Sequence, residues 1–255
     1  THRMLHAHTR TGLGLEVGER TLRELRTLYQ AAARQVDASI GRLLEALSAT
    51  GHRAETAVVL AGDHGEEFQD HGPLAHYPKL YDELIRVPLV VDVPGTDGRR
   101  IEDHVGLDAI PPTVTELLDV DTPEAWRGAS LLPAVVDGDA PSDDPVVSVT
   151  VRGEEVTTQP IPRSLSDGEL LVSVRDRDWT YIRNIDDGSE ELYYRPDDPG
   201  QQTDRSADPD DAARRVIDRF RPITEAHAEL LRERERGDAD ESAEGIDEDL
   251  GARLE

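Results

Sequence analysis

An α/β layer followed by a small antiparallel sheet and a closing helix is the fold this 255-residue sequence predicts. Three observations lead there. A long amphipathic stretch precedes two short apolar runs, TAVVLA (56–61) and RVPLVVDV (86–93), each bounded by polar or Gly/Pro residues. The period of apolar residues then changes from helical to alternating after about residue 137. A second helical stretch follows the alternating segments, near 209–233. Helix, strand, strand and helix in that order make an α/β layer, and the later alternation makes a separate small sheet.

Residues 21–50 form the first helix, because Leu22, Leu25, Tyr29, Ala32, Val36, Ile40, Leu43 and Leu47 recur every three or four positions. Thr21 followed by Glu24 has the form of a capping box, and Gly51 suits the position after the last turn. Both apolar runs read as buried strands of a parallel sheet. Pro94-Gly95 stops the second. Residues 109–119 predict a short helix with Pro111 and Pro112 in its first turn. PVVSVTV (145–151), LLVSVRD (170–176) and WTYIRNI (179–185) alternate as strands, the last two paired as a hairpin. Pro222 is expected to kink the last helix. Domain limits follow as 1–137, 138–236, and an acidic tail at 237–255 whose eight carboxylates and few apolar groups predict disorder.

Composition excludes several function classes. With 54 Asp and Glu against 28 Lys and Arg the net charge is −26, so no basic excess exists to neutralise nucleic-acid phosphates or anionic lipid. No apolar run reaches the roughly 20 residues that span a bilayer. Nor is there a basic start followed by an apolar stretch, so no secretory signal is visible and a cytoplasmic location is expected. Cys is absent, which excludes disulfides and thiolate metal sites. Lys79 is the single lysine among the 28 basic residues. Such an acidic, lysine-poor surface suits concentrated salt, which screens self-repulsion over ~3 Å at 1 M, and points to a haloarchaeal source. Thermal melts are therefore expected to rise as KCl goes from dilute buffer into the molar range; a flat or falling melting temperature would contradict this reading.

The densest polar patch is GDHGEEFQDHGPLAHYPKLYDELIRVPLVV, residues 62–91. Asp63 and His64 stand just beyond the carboxyl end of a predicted strand, where open α/β sheets hold their ligands. A carboxylate beside an imidazole can coordinate one divalent cation, and Gly62 and Gly65 permit the sharp turn that exposes both. Taken alone, Asp-His-Gly suits a solvated strand-to-loop turn equally well. His2, His6 and His8 in the opening stretch lack a scaffold and read as solvated loop residues.

The wider pattern Asp63-His64-Gly65-Glu66, His71-Gly72, Tyr81-Asp82-Glu83 and Arg86-Val87-Pro88-Leu89 resembles the sulfatase family of the alkaline-phosphatase superfamily. The stretch VDASIGRLLEAL, the segment from Asp108 to Leu118 followed by Gly128-Ala129-Ser130-Leu131-Leu132-Pro133, and WTYIRN with Glu191-Leu192-Tyr193 and Asp198-Pro199-Gly200 agree with the same family. The resemblance covers roughly residues 25–205. It implies an alkaline-phosphatase-like sandwich with a mostly parallel sheet, and hydrolysis of a sulfate ester on a small molecule or glycan. It also implies a divalent metal, Ca²⁺ foremost with Mn²⁺ or Zn²⁺ as alternatives, bound in part by Asp63 and His64.

In the family, paired aspartates and a C-x-P-x-R or S-x-P-x-R segment carrying the formylglycine nucleophile precede this region. Neither occurs in the 255 residues, so the chain resembles the C-terminal part of a sulfatase whose N-terminal half is missing. A lysine that binds substrate oxygens in many members corresponds here to His76, with Lys79 three residues on; the resemblance makes His76 the substrate-binding and catalytic candidate and Lys79 a second substrate-binding one. His71 reads as shaping the loop, and Arg86 as a brace to Asp82. The Asp-His pair also occurs in phosphodiester and phosphonate hydrolases and phosphoglycerol transferases of the same superfamily, which are the nearest alternative. A different class, an inactive fragment or a module that binds a metal or another chain, stays open.

Overall fold

The computed structural model describes residues 17–72, 74–153 and 164–253, with side chains to residue 237. The three N-terminal histidines lie outside the described residues. The chain divides into two compact units, Thr1–His76 with Tyr81–Val146, and Tyr77–Leu80 with Val147–Glu255. No helix among the described residues is long and apolar enough to cross a membrane.

The first unit begins with α1, Glu19–Ala49. Its N-cap is Gly18, whose carbonyl accepts from Thr21 and Leu22 N–H, so the Thr21–Glu24 capping box does not form. At the other end Gly51 has φ +81°, Gly51 N–H donates to Ser48 and His52 N–H to Leu47, which is the Schellman arrangement. Leu22 and Leu25 are buried with Val17, Phe68 and Leu74. Farther along the same stripe Leu28, Val36 and Leu43 are more than half exposed.

Strands β1 (Val58–Ala61) and β2 (Leu89–Asp92) pair antiparallel, Val58 opposite Asp92 and Ala61 opposite Leu89. This corrects the expected parallel pairing, and the strands are half-buried rather than buried. The physical reason is that an apolar run reads the same in either direction and carries no information about its partner's polarity. One face of β2 is covered: Leu89, Val91 and Val93 pack with Ala109, Leu131 and Val135 from the segments around α3 (Ile110–Leu117) and α4 (Leu132–Val136). Val90, on the other face, is half exposed. Between the strands lies α2, Asp82–Ile85. Arg86 is exposed and only its backbone N–H reaches Asp82, through the carbonyl, so the expected side-chain brace is not formed.

The Asp108-to-Pro133 motif has a structural account. Thr113 is buried, donates its hydroxyl to Ala109 O at 2.6 Å and accepts Leu131 N–H at 2.8 Å, which ties α3 to the start of α4 with both capacities used. A Cβ at Gly128 would come within 2.0 Å of Asp108 O, so only glycine allows this close approach.

The second unit is a sheet in the order β3 (Val146–Arg152), β4 (Glu169–Arg175), β5 (Trp179–Asn184), β6 (Glu190–Tyr194), with β4–β5 and β5–β6 antiparallel. The hairpin is as the alternation predicts; β6 is an addition. Val174, Tyr181 and Leu192 pack against Ala213, Ile217 and Phe220 of α5 (Asp211–Arg253), and Leu170 and Val172 against Ala228. Each large side chain so buried contributes about 1.5–3 kcal/mol. Pro222 lies inside α5, where it removes one intrahelical donor. The backbone of α5 runs on through residues 237–253.

Glu190 joins the sheet to this helix. Its Oε1 accepts from Tyr181 OH at 2.6 Å and Arg221 Nε at 2.6 Å, and its Oε2 from Arg221 Nη2 at 2.9 Å. The Arg221 guanidinium holds the Glu190 carboxyl below its ordinary 4.5, and burial followed by Glu190 raises the Tyr181 phenol. Because the folded value is depressed, the stabilisation is present above pH 4.5 and is lost as pH falls through the lower folded value. Glu190→Gln is expected to cost about 1–3 kcal/mol at neutral pH and to flatten the acid limb of a urea-melt series. An unchanged acid limb would contradict this role.

Candidate active site

The site is built on the loop that leaves β1. Gly62 N–H donates to Pro88 O at 3.1 Å, extending the strand pair by one rung, and Gly65 N–H donates to Leu84 O at 2.7 Å. A Cβ on Gly65 would sit 1.9 Å from Glu83 O, so glycine is required by the close approach to α2. The turn thus set presents Asp63 and His64 together.

Asp63 is 89% exposed. Its Oδ1 accepts the His64 backbone N–H at 2.9 Å. That bond, a second from its own N–H, and the His64 and His76 rings hold the carboxyl below its usual range. His64 Nδ1 lies 2.8 Å from Gly65 O. A carbonyl only accepts, so Nδ1 is the donor and the neutral ring keeps its lone pair on Nε2, 3.8 Å from Asp63 Oδ2. An ionised carboxylate and the Nε2 of an imidazole therefore stand side by side.

The following loop folds back on itself. Glu67 and Ala75 exchange two backbone hydrogen bonds, 3.2 and 3.1 Å, as an isolated antiparallel bridge. Buried Glu67 accepts His71 N–H at 2.7 Å from inside the loop. His71 is consumed by structure: Nδ1 lies 2.5 Å from Glu83 Oε1 and the ring stacks on Tyr81 at 3.8 Å. Because residues 67 and 75 are paired, Glu66 and His76 flank the bridge and meet, with Glu66 Oε2 3.3 Å from His76 Nδ1. His76 is 57% exposed and its ring centroid is 4.3 Å from that of His64.

Asp63, His64, Glu66 and His76 thus form one cluster in the first unit. Lys79 is half-buried and falls in Tyr77–Leu80, a segment grouped with the second unit. Glu66 is the member the sequence reading overlooked: it stands in the GDHGEE run, but only the bridge shows that it meets a residue ten positions on. Among the described residues no group of three or more His, Cys, Asp or Glu is arranged to hold a metal. The pair Asp63 and His64 supplies two donors.

Comparison with known proteins finds partial similarity to sulfatases and their relatives. Residues 3–120 match the family model described as Sulfatase. The multifunctional alkaline phosphatase superfamily protein PehA of Trinickia caryophylli is 32% identical over 139 residues, 53% of this chain and 27% of that protein. The Delta 4,5-hexuronate-2-O-sulfatase of Bacteroides thetaiotaomicron is 26% identical over 209 residues, 80% of this chain and 41% of that protein. Among solved structures, the phosphonate monoester hydrolase SpPMH from Silicibacter pomeroyi superposes with a TM-score of 0.71 at 24% identity, over 89% of this chain and 47% of the other. A 2-O GAG sulfatase superposes with a TM-score of 0.63 at 21% identity, over 96% and 48%. At these identities the structural likeness speaks for the alkaline-phosphatase-like fold alone. The chain spans less than half the length of each of these relatives. Over residues 3–120 the chain is thus similar to the sulfatase family, and over partly overlapping stretches to a sulfatase and to an alkaline phosphatase superfamily protein.

Proposed function

We propose that this chain supplies the later metal-binding half of a sulfatase active site, and that the protein containing it hydrolyses a sulfate ester on a sugar or other small molecule. The observation that carries the reading is the adjacency of Asp63, His64 and His76, two of them oriented by hydrogen bonds that leave reactive atoms free. The donor set fits a divalent cation: a carboxylate held ionised and an imidazole Nε2 able to offer its lone pair suit Mn²⁺ or Zn²⁺ by their chemistry, while Ca²⁺, which the family resemblance puts first, would draw mainly on the carboxylate. When bound there, such a cation supplies Lewis-acid polarisation of the sulfuryl oxygens.

The residues of this chain do the rest of what is proposed. Asp63 and His64 hold their geometry through the His64 N–H and the Gly65 carbonyl before any ligand arrives. His76, exposed beside them, grips the substrate anion, or gives a proton from Nε2 to the leaving oxygen as the ester bond breaks. With neither a C-x-P-x-R nor an S-x-P-x-R segment in the chain, a formylglycine nucleophile would come from residues outside these 255. Lys79 is the second candidate for the substrate anion.

A variant pair tests His76. His76→Lys keeps a cation at the position and is expected to retain at least about tenfold more kcat/KM than His76→Ala, within the range by which general acid–base groups act. Equal activities in the two variants would move the role to Lys79. The Asp-His pair, together with PehA and the phosphonate monoester hydrolase among the relatives, favours hydrolysis of a phosphonate or phosphate diester as the second reading. Parallel assays on an aryl sulfate and a phosphonate monoester separate the two, sulfate turnover at least tenfold faster being the expected result.

A further inference from the structure

We propose that Glu66 is the positioning residue for His76: its carboxylate accepts the Nδ1–H of the imidazole and leaves Nε2 as the one nitrogen that exchanges a bond or a proton with the substrate. This rests on His76 being the substrate-facing group proposed above. The Glu66 side chain is only 10% exposed, yet it carries a carboxylate, and its sole hydrogen-bonding contact among the described residues is the His76 ring, 3.3 Å from Oε2. Its Oε1 is buried with no hydrogen-bond partner among the described residues. A carboxylate so placed costs desolvation energy without recovering it from the fold, a pattern that marks function more than stability.

The backbone is arranged to hold this pair. The Glu67–Ala75 bridge fixes both flanking residues, and Ala75 takes φ +87°, a left-handed conformation that alanine rarely adopts. Such a conformation persists only where the surroundings over-determine it. On the other side His64 limits the swing of the His76 ring, at 4.3 Å between centroids. A carboxylate offers no proton, so Nδ1 must be the proton-bearing atom in this pair. In the proposed reaction the proton on Nε2 then passes to the oxygen of the leaving alcohol as the S–O bond breaks, and Nδ1–H stays on the ring throughout.

The tautomer can be read directly by nitrogen NMR of the imidazole-labelled chain, at alkaline pH where the ring is neutral. The parent is expected to show His76 predominantly as the Nδ1–H form. Glu66→Leu, which removes the acceptor, is expected to switch it predominantly to Nε2–H, and Glu66→Asp, one methylene shorter, to do the same. His71, hydrogen-bonded to Glu83, reports in the same spectrum whether the loop is intact. If Glu66→Leu disturbs the His71 signal, Glu66→Asp decides. An Nε2–H form in the parent, or an Nδ1–H form that survives loss of the carboxylate with His71 unchanged, overturns the proposal. Activity of His76→Ala tests the underlying reading separately: full turnover there would remove His76 from catalysis while leaving the Glu66–His76 tautomer result as measured.

Discussion

Replacing Asp63 by alanine is expected to abolish tight divalent-metal binding and to lower turnover by well over 100-fold in the protein that carries this chain. Loss of a group that only supports a metal ligand already costs about 10–100-fold, and Asp63 is proposed as a ligand itself. Two features make it the stronger of the pair. It is the one anionic donor, and the His64 N–H and its own N–H keep it ionised without burying it. Because its pKa is depressed in the fold, Asp63 itself is expected to stay ionised in mildly acidic buffer, so a loss of metal binding there would not come from its carboxylate. His64→Ala is expected to be nearly as damaging, since the ring nitrogen it removes is already in the metal-binding tautomer. Metal content by mass spectrometry and turnover of an aryl sulfate check both variants. An Asp63→Ala protein with unchanged metal content and rate would sink the assignment.

The second large effect is a complete loss: residues 1–255 expressed alone are expected not to hydrolyse sulfate esters. Asp63 and His64 provide two donors where a hard cation such as Ca²⁺ takes six to eight oxygens, and the chain contains neither a C-x-P-x-R nor an S-x-P-x-R segment in which formylglycine could form. Exposed apolar groups along α1, namely Leu28, Val36 and Leu43, and Val90 on β2 predict in addition that the isolated chain self-associates. Joining it to a polypeptide with paired aspartates and a C-x-P-x-R segment should restore metal binding, turnover and solubility together. Turnover by residues 1–255 alone, with contaminants excluded, would show that the catalytic groups lie elsewhere.

Much of the fold was legible where one physical signal acted alone. The stripe from Leu22 to Leu47 could only be a helix, and Gly51 closed it as expected because a left-handed residue was needed there. The alternation in LLVSVRD and WTYIRNI identified the hairpin for the same kind of reason. Misreadings came where the signal was silent. Apolar runs at 58–61 and 89–92 identify strands but not their relative direction, and the antiparallel pairing depends on how the chain between them returns. Strand β6 was hidden in EELYY, a run with no clean alternation whose place in the sheet is fixed by pairing with β5.

At the site, the sequence by itself determined which residues stand after the first strand: Asp63 and His64 are neighbours in the chain and share one turn whatever the rest does. It also put His76 at a suggestive distance. What it did not contain was the meeting of His76 with Glu66 and with the ring of His64, because those contacts follow from a backbone bridge between residues 67 and 75. Tertiary structure alone decided that Gly65 is needed for close approach to Glu83 and not for a turn, that His71 is spent on Glu83 and Tyr81, and that Arg86 meets Asp82 through its backbone N–H. The reason is the same in each case. Adjacency along the chain is written in the sequence, whereas adjacency across a loop exists only once the backbone hydrogen bonds that close the loop are made.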